Sequence, residues 1–257
     1  MKVLAIASAK GGVGKTTVTA NLATALSHAG HPVLVADLDP QNALRLHFGL
    51  EPSAIDGISR ATLAGTPWRA SCARSERGVA VLPYGVVNED DRDLFESHLA
   101  AHPHWLRDHL AHLGMVRHAI VLIDTPPGPS VYLRQALAAA DMALLVTLPD
   151  AASFATLPMM ETLVDSYTAG SDDYRGHLHL INQADASRQL SADVAQVMRG
   201  QFGERFVGAV HRDQAVAEAL AYDQSVFDYS IDSQAAADLM EVAKTVHARL
   251  SAGTQAP

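Results

Sequence analysis

Short, uninterrupted apolar runs alternate along this chain with stretches in which apolar residues recur every three or four positions. The runs at 3–7, 32–36, 79–82, 119–123, 143–146, 178–181 and 206–210 are apolar on both parities, or nearly so. A strand with that pattern is covered on both faces, as in a parallel sheet. The periodic segments between them predict helices. One runs from about 15 to 29 and is closed by Gly30; another covers 233–250, with Ala236, Leu239, Met240, Ala243 and Val246 on one side. This alternation predicts an α/β fold: a doubly wound, mostly parallel sheet of about seven or eight strands with helices on both faces. Residues 1–250 are expected to form a single domain, with 51–77, the least regular stretch, as a helical insertion. The small, polar residues 251–257 are expected to be a disordered tail.

The chain has 257 residues, close to the size at which one hydrophobic core stops growing. Hydrophobic residues make up 48% and charged residues 18%, the balance of a folded globular chain rather than a disordered one. No apolar run approaches the ~20 residues of a membrane-spanning helix. Residues 2–7 resemble the start of a signal peptide but run into glycines too early. The single cysteine, Cys72, makes no internal disulfide, so the expectation is a cytoplasmic protein. With 19 Lys+Arg against 28 Asp+Glu, the net charge of −9 disfavours general attraction to nucleic acid and leaves open a local basic patch. Of the four lysines, Lys2, Lys10, Lys15 and Lys244, two fall within one six-residue segment.

That segment opens Lys10-Gly11-Gly12-Val13-Gly14-Lys15-Thr16-Thr17, between the first predicted strand and the first predicted helix. Glycines there let successive backbone N–H groups turn inward around phosphate oxygens, and the helix N-terminus adds its positive end. Lys15 reaches the β and γ phosphates as a point charge, the Thr16 hydroxyl ligates Mg²⁺, and Thr17 is placed for the α-phosphate. Strand, glycine loop, Gly-Lys-Thr and helix together predict a P-loop NTPase site for a nucleoside triphosphate and Mg²⁺. In open α/β sheets ligands bind beyond the carboxyl ends of the strands. Asp37 and Asp39 follow the second apolar run and Asp124 the fourth. An apolar strand ending in Asp is the arrangement in which a carboxylate holds Mg²⁺, which makes Asp124 and Asp39 candidate metal residues beside Thr16. Asp37 reads equally well as a turn cap or as support for the site. For Asp150, just past the fifth run, a helix N-cap is the favoured reading over contact with a partner's ribose.

The loop departs from the general P-loop: Ala9 replaces the first glycine, and Lys10 precedes the glycine pair. In this form it resembles the deviant Walker A motif of the ParA/MinD ATPases. The resemblance implies a homodimer with ATP sandwiched between protomers, in which Lys10 crosses to the phosphates held by the other chain. It also implies that Asp39, in Asp37-Leu38-Asp39-Pro40-Gln41, lies nearest the attacking water and the metal. By the same resemblance Gly128 is the glycine whose N–H senses the γ-phosphate, Asn182 reads adenine, and His211 and Arg212 pack near the base. Lys10, Lys15 and Asp39 are the catalytic set.

Further segments resemble the BcsQ members of bacterial cellulose-synthase operons. They are Arg45-Leu46-His47-Phe48-Gly49, the stretch from Gly57-Ile58-Ser59-Arg60-Ala61 to Gly65-Thr66-Pro67-Trp68-Arg69, Leu82-Pro83-Tyr84-Gly85, and 211–219. That implies a slow, dimerisation-coupled ATPase of the cellulose secretion machine. Its implied partners are the small protein BcsR, BcsE and cellulose synthase subunits, with recruitment to the inner membrane through them. No amphipathic tail, cluster-binding cysteine set, tyrosine-rich tail or preceding DNA-binding domain points to other branches. Two other readings stay open: a ParA-type DNA-partition or cargo-positioning ATPase, and an adaptor that binds ATP for stability alone. Six histidines lie between 98 and 118: His98, His102, His104, His109, His112 and His118. Their helical spacings would suit a metal, but Pro103 interrupts one pair and no Cys or His-Glu-x-x-His pattern supports it. A solvated or partner-facing surface is the favoured reading.

Overall fold

The computed structural model describes residues 1–252. In chain order the elements are β1 (Lys2–Ala7), α1 (Lys15–His28), β2 (Val33–Asp37), α2 (Ile58–Leu63), β3 (Ala73–Arg74), β4 (Ala80–Leu82), α3 (Glu89–Ala101) and α4 (Trp105–His112). They continue with β5 (Ile120–Asp124), α5 (Val131–Ala139), β6 (Met142–Thr147), α6 (Ala151–Thr168), β7 (His177–Ala184), α7 (Gln189–Phe202), β8 (Phe206–His211), α8 (Gln214–Ala221), α9 (Val226–Tyr229) and α10 (Gln234–Ser251). The strands form one sheet in the order β3-β4-β2-β5-β1-β6-β7-β8, with every neighbouring pair parallel except β3–β4.

The seven apolar runs are all strands of this sheet. Their burial explains the pattern: β2, β5 and β6 are buried at every position because helices cover both faces. One face carries α1 and α10, which bury Leu22, Leu26, Leu239 and Val246. The other carries α3 to α6, with Phe95, Leu106, Leu133 and Val164. Strand β7 extends beyond the predicted 178–181, because backbone pairing to β8 continues to Ala184 after the side chains turn polar at Asn182. The two-residue β3 has no apolar pattern to reveal it, and it covers the edge of β4. Ser251 is the last residue of α10, so the helix takes in the first position of the expected tail; 253–257 lie outside the described residues.

Within 51–77 the chain forms α2, a 3-10 turn at Trp68–Ser71 and β3. It is fastened to the sheet rather than standing off it. Trp68 is buried, edge-on to Trp105 at 4.8 Å between ring centres and stacked on His109 at 4.5 Å. At the α2 start, Ile58 and Ser59 donate their N–H groups to the Pro83 and Tyr84 carbonyls at 2.9 and 3.1 Å. The two backbones meet at Gly57 and Gly85, where a Cβ on Gly57 would fall on the Gly85 main chain.

Two rigid backbones cannot separate cheaply, so Gly57→Ala is expected to lower stability by about 2 kcal/mol through overpacking. Urea unfolding measures it; a loss within experimental error would show that this junction opens freely.

Candidate functional site

β1 lies between β5 and β6, where the chain order of the sheet reverses direction, and the crevice at the strands' carboxyl ends opens beside it. The loop leaving β1 enters α1 through Gly12 and Gly14, whose φ values of 75° and 83° lie in the left-handed region. At Gly14 glycine is needed twice over, since a Cβ there would stand 2.5 Å from the Asn182 amide nitrogen. Gly14 is the N-cap of α1 and offers no side chain to cap it, and the first turn holds no acidic residue. The positive end of the helix is therefore left for an external anion.

Lys15 is buried, with 7% of its surface exposed. Burial lowers its pKa, while Asp124 and then Asp39 oppose that shift. The Thr16 hydroxyl donates to Asp124 Oδ2 at 2.6 Å and the Thr19 hydroxyl to Oδ1 at 3.2 Å. Asp124 ends β5 in register with Asp37 at the end of β2. Burial raises the Asp124 pKa to about 6, with the Thr16 hydrogen bond and Lys15 working against it. Asp37 is pushed well above the usual carboxylate range, first by burial and then by Asp124. Of its two open readings, the cap is what the structure contains. Asp37 accepts the N–H groups of Asp39 at 2.9 Å and Leu44 at 3.2 Å, and so folds the loop that carries Asp39. Asp39 is half-buried and accepts the Gln41 N–H at 2.9 Å.

The same loop holds Asn42, which sequence reasoning did not single out. Its φ is 51°, its side chain is 5% exposed, and among the described residues neither amide atom has a hydrogen-bond partner. Asn42 donates its backbone N–H to the Asp39 carbonyl at 2.8 Å, and the left-handed conformation it takes is one that Asn tolerates. Gly128 has φ 72°, and its N–H donates to the Ser8 carbonyl at 2.9 Å. The expected phosphate-sensing N–H is thus engaged with the loop after β1 in this conformation. Lys10 is turned onto its own chain, 3.4 Å from Asp150 Oδ1 and 3.4 Å from the Ser153 hydroxyl. Asp150 is the N-cap of α6, accepting the Ser153 N–H at 2.6 Å.

On the other side of the loop a cleft of about 510 Å³ is lined by Gly14, Thr17, Asn182, Gln183, His211 and Arg212, with apolar walls from α8 and α10. Asn182 donates Nδ2 to the Val13 carbonyl at 2.8 Å, which leaves its oxygen for another partner. His211 is fixed by Asp238, whose Oδ2 accepts both its backbone N–H and its Nδ1, each at 2.8 Å. The Arg212 backbone N–H bonds to the Ala184 carbonyl, which joins the ends of β7 and β8. Thr17, Asn182, His211 and Arg212 are thus brought together with the loop glycines, while Lys10 and Gly128 lie outside this cleft. Backbone N–H groups, a buried ammonium, a hydroxyl–carboxylate pair and an adjoining half-apolar cleft fit a nucleotide with its phosphates and a divalent cation.

The histidines between 98 and 118 form no such constellation. His102, His109 and His112 each pair Nδ1 with the carbonyl one helical turn earlier, and His98 and His102 stack at 4.2 Å.

The family model for cellulose biosynthesis protein BcsQ matches residues 1–246. Among curated proteins, the chain is 31% identical over 250 residues to the cellulose biosynthesis protein BcsQ of Escherichia coli K12, covering 95% of this chain and 93% of that one. It is 29% identical over 257 residues to the chromosome partitioning protein ParA of Caulobacter vibrioides NA1000, covering 97% and 95%. Its fold is similar to that of the septum site-determining protein MinD of Pyrococcus horikoshii, solved with Mg-ADP. That match has a TM-score of 0.77 at 23% identity and covers 99% of this chain and 98% of that one.

The raised carboxylate at Asp124 has a consequence for stability. Its folded pKa of about 6 lies above the ordinary 3.8, so the folded chain holds more protons than the unfolded one between those values. The contribution of this group to stability is therefore most favourable at low pH and is lost as pH rises towards and through 6. Asp124→Asn removes that titration. Its stability relative to the parent is expected to improve by roughly 2–3 kcal/mol from pH 4 to pH 7.5, whatever constant offset the substitution adds. Urea melts across that range measure the slope; a flat difference would assign Asp124 an ordinary pKa.

Proposed function

The chain belongs to the cellulose biosynthesis protein BcsQ family, and from that premise we propose that it is an ATPase of the ParA/MinD type. In this reading it pairs around ATP, hydrolyses it slowly, and supports assembly or positioning of the bacterial cellulose synthase secretion complex. The observation that carries the reading is the cluster of buried Lys15, Thr16 and Asp124 at an uncapped helix N-terminus, beside the cleft lined by Asn182 and His211. Bound Mg–ATP would supply a phosphoanhydride bond and a cation that withdraws charge from the phosphates.

The chain's own residues divide the work. Lys15 has lost much of its hydration, and a phosphate is the anionic partner that restores what burial removed. Thr16 and Asp124 already share a hydrogen bond, so their oxygens face one point and are ready for the cation. Asp37 holds the loop in shape through two backbone N–H groups, and Asp39 on that loop orients water. Asn182, with one amide hydrogen engaged by Val13, offers its oxygen to the base. Gly128 reports on the phosphates by exchanging its Ser8 carbonyl for a phosphate oxygen.

Lys10 supplies the coupling to pairing. Its ion pair with Asp150 is exposed by 34% and 43% on the two side chains, and such a pair contributes at most ~1 kcal/mol. It is weak enough to be exchanged for the phosphates of a second chain. BcsR, BcsE and cellulose synthase subunits are the partners this reading implies, met from the cytoplasm. No described helix is long and apolar enough to cross a membrane, so approach to the inner membrane would run through them.

The likeness to ParA favours a second reading, a DNA-partition or cargo-positioning ATPase. That reading needs a free basic stripe. Arg175 is engaged by the Leu250 carbonyl, Arg188 by Asp185, and Arg205 by Glu161. An ATP-dependent, salt-sensitive shift of nonspecific DNA would favour it over the cellulose assignment.

Two variants test the switch. Lys10→Ala is expected to bind ATP within a few-fold of the parent by calorimetry yet to form ATP-dependent dimers at least tenfold more weakly. Unchanged dimerisation in the analytical ultracentrifuge would remove Lys10 from the mechanism. Asp39→Ala is expected to pair with ATP but to lose most of its turnover, and full turnover would reject its role. Failure of the parent to bind ATP with Mg²⁺ would sink the whole reading.

A further inference from the structure

Away from the nucleotide cleft, at the amino end of β7, His177 and His179 project from the same face of the strand towards Glu161 on α6. The ligand atoms of all three residues lie within 4.8 Å of one another. His177 Nε2 is 3.4 Å and His179 Nε2 3.1 Å from the same carboxylate oxygen, Glu161 Oε1. Two His and one carboxylate are the donor set of open zinc sites. Tetrahedral bonds of 2.0–2.2 Å put neighbouring donors about 3.3–3.5 Å apart, close to both observed edges.

A second observation singles the cluster out. His179 has no exposed surface, and its ring is stacked on Phe202 with centres 4.0 Å apart and planes within 4°. Among the described residues neither of its ring nitrogens makes a hydrogen bond of acceptable geometry, although Nε2 points towards Glu161. A buried ring held in that way carries the full desolvation cost of its unmet polar groups. Core packing alone would be better served by an apolar residue. Burial keeps both rings neutral by lowering their pKa values, that of His179 to about 3, and the neutral ring is the one that carries a lone pair for a metal.

The centre of the cluster is reached by a cation that belongs to the chain. Arg205, on the 3-10 turn Gly203–Arg205, bonds to His177 Nε2 and stands 3.2 Å from Glu161 Oε1. Its side chain is 44% exposed, so it can swing into solvent without breaking the core. An arginine–glutamate pair accounts for Glu161 and His177 but leaves His179 unexplained.

We propose that Glu161, His177 and His179 form a binding site for one divalent transition-metal ion, zinc by its donor set, in which the Arg205 guanidinium stands in until the metal displaces it. Water takes the fourth position when Arg205 leaves. His179 Nδ1 has no partner to orient and polarise the ring, so the site is weaker than a structural zinc centre. The inference does not rest on the nucleotide reading, and each can fail alone.

The test uses the full, tag-free chain stripped with chelator. Zn²⁺ is titrated in competition with a chromophoric chelator, and Co²⁺ is followed by its visible absorption. The expected result is one equivalent per chain with an intense, tetrahedral-type Co²⁺ band. Glu161→Gln and His179→Gln should each weaken binding at least tenfold. Arg205→Gln alters only a half-exposed side chain and should tighten it several-fold. Thermal melts with and without Zn²⁺ should show stabilisation of the parent and of Arg205→Gln, and none of Glu161→Gln. No binding by Arg205→Gln, or an equivalent that Glu161→Gln leaves intact and that therefore belongs to surface histidines, would overturn the proposal.

Discussion

Two carboxylates that face each other across adjacent strands, Asp37 on β2 and Asp124 on β5, are both fully buried. Like charges side by side in the interior are costly, and the surrounding structure is arranged to satisfy them. Asp124 is met by the hydroxyls of Thr16 and Thr19 and by the neighbouring Lys15, which draws the first turn of α1 against the end of β5. Asp37 is met by the N–H groups of Asp39 and Leu44, which curls the following loop over the same point. The glycine loop, the loop that carries Asp39 and the helix that carries the buried lysine are therefore positioned by one electrostatic requirement. Strand pairing alone would leave those loops free.

The two lysines of the glycine loop illustrate how environment divides roles between identical side chains. Lys15 is buried, with burial pulling its pKa down and two carboxylates pulling it up. Lys10, five residues earlier in sequence, lies half-exposed on the N-cap of α6. Desolvation leaves the first buried beside two carboxylates. Solvent screening makes the contact of the second weak and exchangeable, as the proposed crossing of Lys10 to a second chain requires.

The irregular stretch between β2 and β4 gains its order from contacts far away in sequence. Trp68 sits against Trp105 and His109, and Tyr84 shares a hydrogen bond with Tyr132, which donates in turn to Glu96. The Trp68 contacts bind 51–77 to α4, and those of Tyr84, just past β4, tie the next loop to α5 and through it to α3, on the opposite side of the sheet from α1 and α10. Histidines divide in the same way by context. His109 and His112 on α4 hydrogen-bond within their own helix, whereas the two on β7 point at a carboxylate of another element.

Much of the fold and the heart of the site were legible in the sequence because both are encoded in contiguous residues. Burial on two faces makes a parallel strand apolar at every position, so the runs at 3–7 and 119–123 announce themselves. Gly12, Gly14, Lys15 and Thr16 are consecutive or nearly so, and their backbone torsions and helix end are legible as one motif, even though Asp124 and Asn182 fix their final positions. Tertiary structure alone decided the order of strands, the cap role of Asp37, the Ser8 carbonyl on Gly128, the unpartnered amide of Asn42 and the meeting of Glu161 with His177 and His179. Each of those depends on distances between elements that chain spacing does not encode. Such distances emerge only when side chains of different helices and strands compete for the same buried volume.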